Sequence, residues 1–203
     1  MDKASLRRHY RDKRSAITAS AKEKLEDLML IQFQKLSIEI PAHIMTYAPI
    51  EKFNEFDPIH ITDYCYFKNP GQSLFYPLIP GKAASMQAIL VNDDTVFETS
   101  DFGIDEPADG MPMFAEEIDM VIVPLLCFDE LGYRVGYGKG YYDEFLQTCR
   151  KDVLKIGFSF FEAGEFVIRV SEFENQKPVM SGLGYILSLA EAPYLASVFP
   201  LGV

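Results

Sequence analysis

The sequence lacks the features that would place the chain in a membrane or in an oxidising compartment. It has no apolar run of about 18 residues and no apolar stretch near its charged N-terminus, so we expect neither a transmembrane helix nor a signal peptide. Its cysteines are Cys65, Cys127 and Cys149, which are widely spaced and form no C-x-x-C pair. The sequence therefore predicts no disulfide framework, no zinc site and a reducing cytoplasm, with Cys127 as a small core residue.

The chain also has fewer positively than negatively charged residues. The 203 residues include 19 Lys and Arg against 30 Asp and Glu, for a net charge of −11. Non-specific binding to nucleic acid requires a basic surface, so this balance argues against it. An anionic small ligand is not excluded, because a local basic pocket can exist in an acidic protein.

The chain also has neither an internal repeat nor a disordered linker. Its length is sufficient for one sizeable core, and we therefore predict a single domain over residues 1–203. The sequence does not give the oligomeric state, and a monomer is the simpler expectation.

The hydrophobic pattern alternates between helices and short strands. Helices are predicted over residues 3–15, where Leu6 and Tyr10 share a face, after a capping box at Ser20 and Glu23, and over 141–149. The apolar face of the second helix is formed by Leu25, Leu28, Met29, Phe33 and Leu36. Strands are predicted at 43–47, 73–78, 86–91, 120–123, 153–158 and 166–170, whereas 59–67 is ambiguous. This alternation predicts an α/β fold with a largely parallel sheet covered on both faces.

The stretch around which the chain is organised is 119–146, DMVIVPLLCFDELGYRVGYGKGYYDEFL. Its apolar run at 120–123 is typical of a buried parallel strand, which Pro124 ends because proline cannot donate a ladder hydrogen bond. Phe128, Asp129 and Gly132 then indicate a turn.

A glycine-rich loop follows this turn. Gly136, Gly138 and Gly140 alternate after Arg134, and such a backbone can turn several N–H groups toward one anion. The helix that begins beside the loop adds a partial positive charge. The loop has neither the G-x-x-x-x-G-K-[ST] nor the G-x-G-x-x-G spacing, so the glycines alone are equally consistent with a tight structural turn. The flanking residues Arg134, Lys139, Tyr141, Tyr142 and Asp143 favour a nucleotide site.

Residues 119–146 resemble the signature of the 5-formyltetrahydrofolate cyclo-ligase family, the methenyltetrahydrofolate synthetases. That pattern is Asp, an apolar strand, Pro, a short apolar stretch, Phe-Asp, Gly and Arg-x-Gly-x-Gly-x-Gly-Tyr-Tyr-Asp, and every element is present in register. Lys3 to Arg7, KASLR, resembles the family's Lys-x-x-Leu-Arg. The 102–107 run, FGIDEP, is similar to Phe-Gly-Ile-x-Glu-Pro, and we interpret it as a structural loop without chemistry, since Pro107 disfavours a helix at Glu106.

The resemblance implies a three-layer α/β/α sandwich related to sugar-phosphate isomerases and CoA transferases. It also implies a reaction in which ATP and 5-formyltetrahydrofolate give 5,10-methenyltetrahydrofolate, ADP and phosphate with Mg²⁺ present. The formyl oxygen attacks the γ-phosphate, and phosphate departs when the N10 amine closes the ring. Such chemistry depends mainly on positioning and charge neutralisation.

The same resemblance implies a set of site residues. ATP is assigned to Lys3, Arg7, Arg134, Gly136, Tyr137, Gly138, Lys139, Gly140, Tyr141 and Tyr142, of which Arg134 and Lys139 are the catalytic charge clamps. The folate substrate is assigned to Ile50, Glu55, Tyr137, Gly138 and Tyr141, and Mg²⁺ to Asp143 and Glu174.

Several alternatives remain open at this stage. The loop after the predicted strand 43–47 is extended, so Glu51 could replace Glu55. Glu174 stands where the family usually has Asp, and the apolar tail, 181–203, is only loosely similar to the family. Arg8, Arg11 and Lys13 are interpreted as solvated. The competing functions are an ATP-independent isomerase or CoA transferase, and a non-catalytic folate or nucleotide binder.

Overall fold

The computed structural model describes residues 2–81, 85–100, 103–164 and 184–188, and this part of the chain is built around a seven-stranded sheet. The α-helices within these ranges are α1 (Lys3–Ser15), α2 (Ala19–Lys35), α3 (Ile59–Lys68) and α4 (Tyr141–Thr148). The strands are β1 (His43–Met45), β2 (Ser73–Leu78), β3 (Gln87–Val91), β4 (Phe97–Thr99), β5 (Asp105–Pro107), β6 (Pro112–Met113), β7 (Met120–Val123), β8 (Cys127–Phe128), β9 (Arg134–Val135), β10 (Leu154–Phe158) and β11 (Gly184–Leu187).

The main sheet has the strand order β11-β10-β7-β1-β2-β3-β6. The five strands from β11 to β2 are mutually parallel, and β3 and β6 continue the sheet in antiparallel fashion. From β1 the chain passes through α3 to β2, toward the β6 edge of the sheet. From β7 it passes through α4 to β10, toward the β11 edge. The strand order therefore diverges between β1 and β7, which in open α/β sheets is where ligands bind.

Alternating side chains divide the core into two layers, one on each face of the sheet. Ile44 and Ile122 pack with α2 and α3 on one face. Met45 and Val121 pack with α4 on the opposite face. Because β7 is covered on both faces, all four of its residues are buried. The predicted three-layer α/β/α sandwich with a mostly parallel sheet is confirmed in the described part of the chain.

The second helix begins earlier than the sequence indicated. Its N-cap is Thr18, whose hydroxyl accepts a hydrogen bond from the Ala21 N–H, so the predicted capping box at Ser20 and Glu23 is wrong. Leu28, predicted on the apolar face, is 49% exposed. The other four predicted positions do pack on the core: Met29 and Phe33 are buried and Leu25 and Leu36 are partly buried, whereas the helix twist carries Leu28 to the solvent side.

Other elements also differ from the predictions. The ambiguous segment forms the helix α3, and the first predicted strand, 43–47, is only the three residues of β1. The run interpreted as a loop at Asp105–Pro107 is a strand that pairs with β4. A small hairpin of β8 and β9 was not predicted, nor was β11 in the apolar tail.

Some predictions cannot be compared with the structure. The strand predicted at 166–170 lies outside the described residues. The single domain over 1–203 and the relation to sugar-phosphate isomerases and CoA transferases stay predictions. Across the described ranges, every helix is too short or too polar to cross a membrane.

The packing of α2 gives a stability prediction. Phe33 is 1% exposed and its ring contacts those of Phe158 and Tyr64 edge to face. We expect Phe33→Ala to lower the free energy of unfolding by about 3–5 kcal/mol, measured by urea denaturation, because it leaves a cavity. Leu28→Ala on the same helix should change it by less than about 0.5 kcal/mol. Similar losses in the two variants would contradict this description of the helix.

Candidate active site

A cleft of about 290 Å³ lies at the point where the strand order diverges. Its walls include Tyr47, Ala48 and Ile50, which follow β1, and Pro124 together with residues 133–143, which follow β7. Pro77 and Ile79, at the end of β2, form another part of its wall. The cleft therefore lies outside the carboxyl ends of three neighbouring parallel strands, where doubly wound sheets place their ligands.

The predicted site residues that the structure describes all line this cleft. They are Lys3, Arg7, Ile50, Glu55, Arg134, Gly136, Tyr137, Gly138, Lys139, Gly140, Tyr141, Tyr142 and Asp143. They come from α1, from the segment after β1 and from the segment after β7, which are far apart in sequence. Glu174, the other predicted Mg²⁺ ligand, lies outside the described residues.

The glycine-rich loop is fastened to the first helix. Arg7 Nε donates a hydrogen bond to the Gly136 carbonyl over 2.9 Å. A Cβ atom at position 138 would lie 2.8 Å from the Arg7 guanidinium carbon, and Gly138 also has φ +94°. Glycine is required at position 138 both for the backbone conformation and for the close approach of this cation.

Helix α4 begins at the end of the same loop. Its N-cap is Gly140 with φ 80°, and the N–H groups of the first turn point out of the helix start without intrahelical acceptors. Lys3, Arg7 and Lys139 line the same cleft. A helix start flanked by several cations is suited to a phosphate group.

Arg134 is paired rather than open to the cleft. Its side chain is 6% exposed, Nη2 lies 2.5 Å from Asp143 Oδ1, and Nη1 donates to the Pro124 carbonyl over 3.1 Å. Burial lowers the pKa of the Arg134 guanidinium, and the Asp143 carboxylate opposes that shift. The structure thus gives Arg134 a role in holding Asp143 and the end of β7, in addition to any charge that it offers to a ligand.

Asp143 is suited to be one ligand of a Mg²⁺ ion. Mg²⁺ in nucleotide sites is held by one or two carboxylates, by the phosphates and by water. Asp143 lies in the first turn of α4 and lines the cleft. Among the residues that the structure describes, no group of three His, Cys, Asp or Glu could hold a metal ion by itself. The donor set present therefore fits a metal that is brought with a nucleotide.

The cleft is also lined by a buried carboxylate. Glu55 is 2% exposed; its Oε2 accepts from the Ile50 N–H over 2.8 Å and its Oε1 accepts from the Tyr137 hydroxyl over 2.6 Å. Burial raises the pKa of Glu55, and the two hydrogen bonds oppose the shift. The alternative residue, Glu51, is exposed in the 3₁₀ turn Glu51–Phe53 and does not line the cleft.

The first helix supplies two arginines that the sequence interpretation did not assign to the site. Arg11, predicted to be solvated, is partly buried, lines the cleft and lies 5.1 Å from the centre of the Phe53 ring. Arg14 is 2% exposed and bonds to the Tyr137 hydroxyl. The other two solvated predictions, Arg8 and Lys13, are exposed as expected. The signal was available, since positions 3, 7, 11 and 14 recur at helical spacing and carry only Lys and Arg.

One further residue at the cleft, Glu106, was given no role by the sequence, and the hydroxyl of the predicted residue Tyr142 is buried there. Glu106, to which no chemistry was assigned, is 5% exposed, lines the cleft and accepts from the Ile79 N–H over 3.3 Å. Burial raises its pKa. The Tyr142 hydroxyl is buried without a hydrogen-bond partner among the described residues. Its pKa is raised by burial and then by the charge of Glu55, so this hydroxyl remains a donor at neutral pH.

Comparison with known proteins agrees with this geometry. The model of the "5-formyltetrahydrofolate cyclo-ligase family" matches residues 1–161. A 5-formyltetrahydrofolate cyclo-ligase of Mycoplasma pneumoniae is 26% identical over 173 residues, which cover 82% of this chain and 91% of the relative. One from Haemophilus influenzae is 35% identical over 72 residues, or 33% of this chain and 37% of the relative.

Solved structures agree on the fold. The 5,10-methenyltetrahydrofolate synthetase of Mycoplasma pneumoniae matches with a TM-score of 0.67 at 23% identity, over 92% of this chain and 98% of the other. The Aquifex aeolicus enzyme of the same name matches with a TM-score of 0.66 at 24% identity, over 91% and 90% of the two chains. The match to the family extends over most of the chain and includes the glycine-rich loop and both ends of the cleft, and the chain belongs to the 5-formyltetrahydrofolate cyclo-ligase family.

Proposed function

We propose that this protein catalyses the ATP-dependent cyclisation of 5-formyltetrahydrofolate to 5,10-methenyltetrahydrofolate, with release of ADP and phosphate. The observation that carries the proposal is that one cleft joins a cationic glycine-rich loop to a buried carboxylate, in a chain that belongs to this family. The first end is suited to a triphosphate and the second to the hydrogen-bond donors of a pterin.

The cationic end of the cleft would bind ATP. Lys3, Arg7 and Lys139 neutralise phosphate charge, while the backbone of residues 136–140 and the start of α4 offer N–H donors. Phosphoryl transfer to the formyl oxygen needs such positioning and charge neutralisation more than a protein acid or base. Arg7 is already fixed by its bond to Gly136, so little ordering is required when the phosphates bind.

Asp143 would hold the Mg²⁺ that accompanies ATP, and Glu174 is the proposed second ligand. When bound, the ion would neutralise charge on the phosphates during transfer. Arg134 pairs with the Asp143 carboxylate and holds it in the first turn of α4. Tyr141 and Tyr142 form the adjoining wall of the cleft.

The buried end would bind the pterin ring of the folate. A pterin presents adjacent N–H donors, and both oxygens of Glu55 act as hydrogen-bond acceptors in the structure. Ile50 and Tyr141 provide neighbouring contact surface, with the backbone at Tyr137 and Gly138 between the two ends. This arrangement would place the formyl oxygen toward the phosphates.

The setting of the enzyme is part of the same proposal. We infer a cytoplasmic enzyme of one domain that acts as a monomer on a small molecule, without nucleic-acid or membrane partners. The net charge of −11 supports the part of this inference that concerns nucleic acid, and the cations that line the cleft suit a small anionic ligand.

The reaction can be tested directly. Purified protein mixed with 5-formyltetrahydrofolate and MgATP should give an increase in absorbance in the near-ultraviolet band of the methenyl product. The increase should vanish when ATP is omitted, because the formyl oxygen is then not activated. Folate binding by calorimetry without any ATP-dependent product would instead identify a non-catalytic binder.

Loss of the Arg134 side chain should impair this reaction. Arg134→Ala leaves Asp143 and the Pro124 carbonyl unpaired, and we expect kcat/KM to fall about 100-fold, as for other losses of charge stabilisation. Arg150→Ala is the matched control, since Arg150 also pairs with aspartates but does not line the cleft. It should change kcat/KM by less than about twofold, because exposed ion pairs contribute little. Wild-type kinetics in Arg134→Ala would refute this role.

The metal ligands can be tested without measuring activity. Asp143→Asn should raise the Mg²⁺ concentration needed for tight ATP binding about tenfold, measured by titration calorimetry at several Mg²⁺ concentrations. Glu174→Gln should produce a similar shift, whereas Glu162→Gln, an exposed carboxylate, should not. If Glu174→Gln retains the wild-type Mg²⁺ dependence, its assignment as a metal ligand is wrong.

A further inference from the structure

Arg14 is a buried charge beside the cleft to which the proposed chemistry assigns no role. It lies in the last turn of α1 and is 2% exposed. Its Nε donates to the Phe53 carbonyl over 2.7 Å, its Nη2 donates to the Tyr137 hydroxyl, and its Nη1 lies 3.5 Å from the Leu125 carbonyl. A buried guanidinium is unfavourable unless its donors are satisfied, and here they join the segment before Glu55 to the Tyr137 side chain of the glycine-rich loop.

The hydrogen bonds continue from Arg14 to Glu55 in a fixed direction. A tyrosine hydroxyl has a single proton, and guanidinium N–H groups can only donate. Because the Tyr137 oxygen accepts from Arg14, its proton is available to Glu55 Oε1, which lies 2.6 Å away. The Ile50 N–H holds the other oxygen, Oε2. Arg14 therefore determines which way the hydroxyl faces and hence where the carboxylate lies.

The backbone beside Glu55 is tied to the same part of α1. Asn54 has a left-handed backbone with φ 49°, and its amide donates to the carbonyls of Arg14 and Ile17 over 2.9 and 3.0 Å. With the bond from Arg14 to Phe53, the segment before Glu55 is held at two successive residues. This segment follows β1 with little regular structure of its own, so its position depends on these contacts.

We propose that Arg14 is a positioning residue for the folate substrate, which orients Glu55 through the Tyr137 hydroxyl and fixes the adjoining segment through the Phe53 carbonyl. Arg14 does not touch the substrate in this scheme. The proposal rests on the folate role of Glu55 in the proposed function. A lysine would be a poor replacement, because an ammonium has no planar fork to reach both acceptors.

A double-mutant cycle tests the proposal. Binding of 5-formyltetrahydrofolate is measured by titration calorimetry for the wild type, Arg14→Met, Glu55→Gln and the double variant. We expect Arg14→Met to weaken binding about tenfold, the usual size for a lost hydrogen bond to a charged group, and Glu55→Gln at least as much. If Arg14 acts through Glu55, the double variant should bind no more than about twofold more weakly than Glu55→Gln alone. Additive losses would overturn the proposal.

Two measurements separate positioning from a general structural effect. Arg14→Met should leave ATP affinity within about twofold of the wild type, since Arg14 does not line the cleft and meets the glycine-rich loop at the Tyr137 hydroxyl, beside Glu55. Equal losses for both ligands would refute its role. Arg8→Met removes the same charge from an exposed position of α1 and should leave folate affinity unchanged within about twofold.

Tyr137→Phe covers the case in which Arg14→Met does not fold. It removes only the hydroxyl that joins Arg14 to Glu55, and it should reproduce the loss of folate affinity and the non-additivity with Glu55→Gln. Wild-type folate affinity in Tyr137→Phe would overturn the proposal.

The cycle also distinguishes failure of this proposal from failure of the proposed function. A wild-type protein that binds folate but forms no methenyl product would refute the reaction, and the cycle would still decide the role of Arg14. A wild-type protein that binds no folate would overturn both.

Discussion

The divergence of the chain between β1 and β7 is the constraint on which the rest of the site depends. Parallel strands that are covered on both faces cannot present polar side chains to a ligand, because their side chains pack into the two cores. Ligand groups must therefore come from the segments beyond the carboxyl ends of the strands. The crossovers leave β1 and β7 in opposite directions, so a cleft remains between those segments.

The cleft is organised by buried charges that each have a defined partner. Arg134 faces Asp143, and Glu55 faces the Tyr137 hydroxyl and the Ile50 N–H. In a low-dielectric site these contacts are strong, and any group left unpaired would be costly. The same partners fix the directions in which the charged groups point. The places where substrate groups can bind would therefore be set before the substrate arrives.

Helix α1 has a larger part in this arrangement than its place at the start of the chain would indicate. Leu6 and Tyr10 bury one face of it, while Lys3 and Arg7 face the cleft. Near its end Arg14 reaches the buried carboxylate through Tyr137. The helix thus contacts both ends of the cleft, which is how an acidic protein concentrates positive charge at one place.

The sequence by itself determined the α/β class, because hydrophobic periodicity is a local property, and the resemblance of residues 119–146 to a known signature identified the family and its glycine-rich loop. Hydrophobic periodicity located α1, α4 and β7 closely, and the signature residues identified the loop without knowledge of its surroundings. Only the tertiary structure decided between Glu51 and Glu55, since the two differ in burial rather than in local pattern. It likewise paired Arg134 with Asp143. It also joined Arg14 to Glu55 through Tyr137, because helical spacing can place Arg14 near Arg7 on one face of α1, whereas its partners on distant segments are decided by packing.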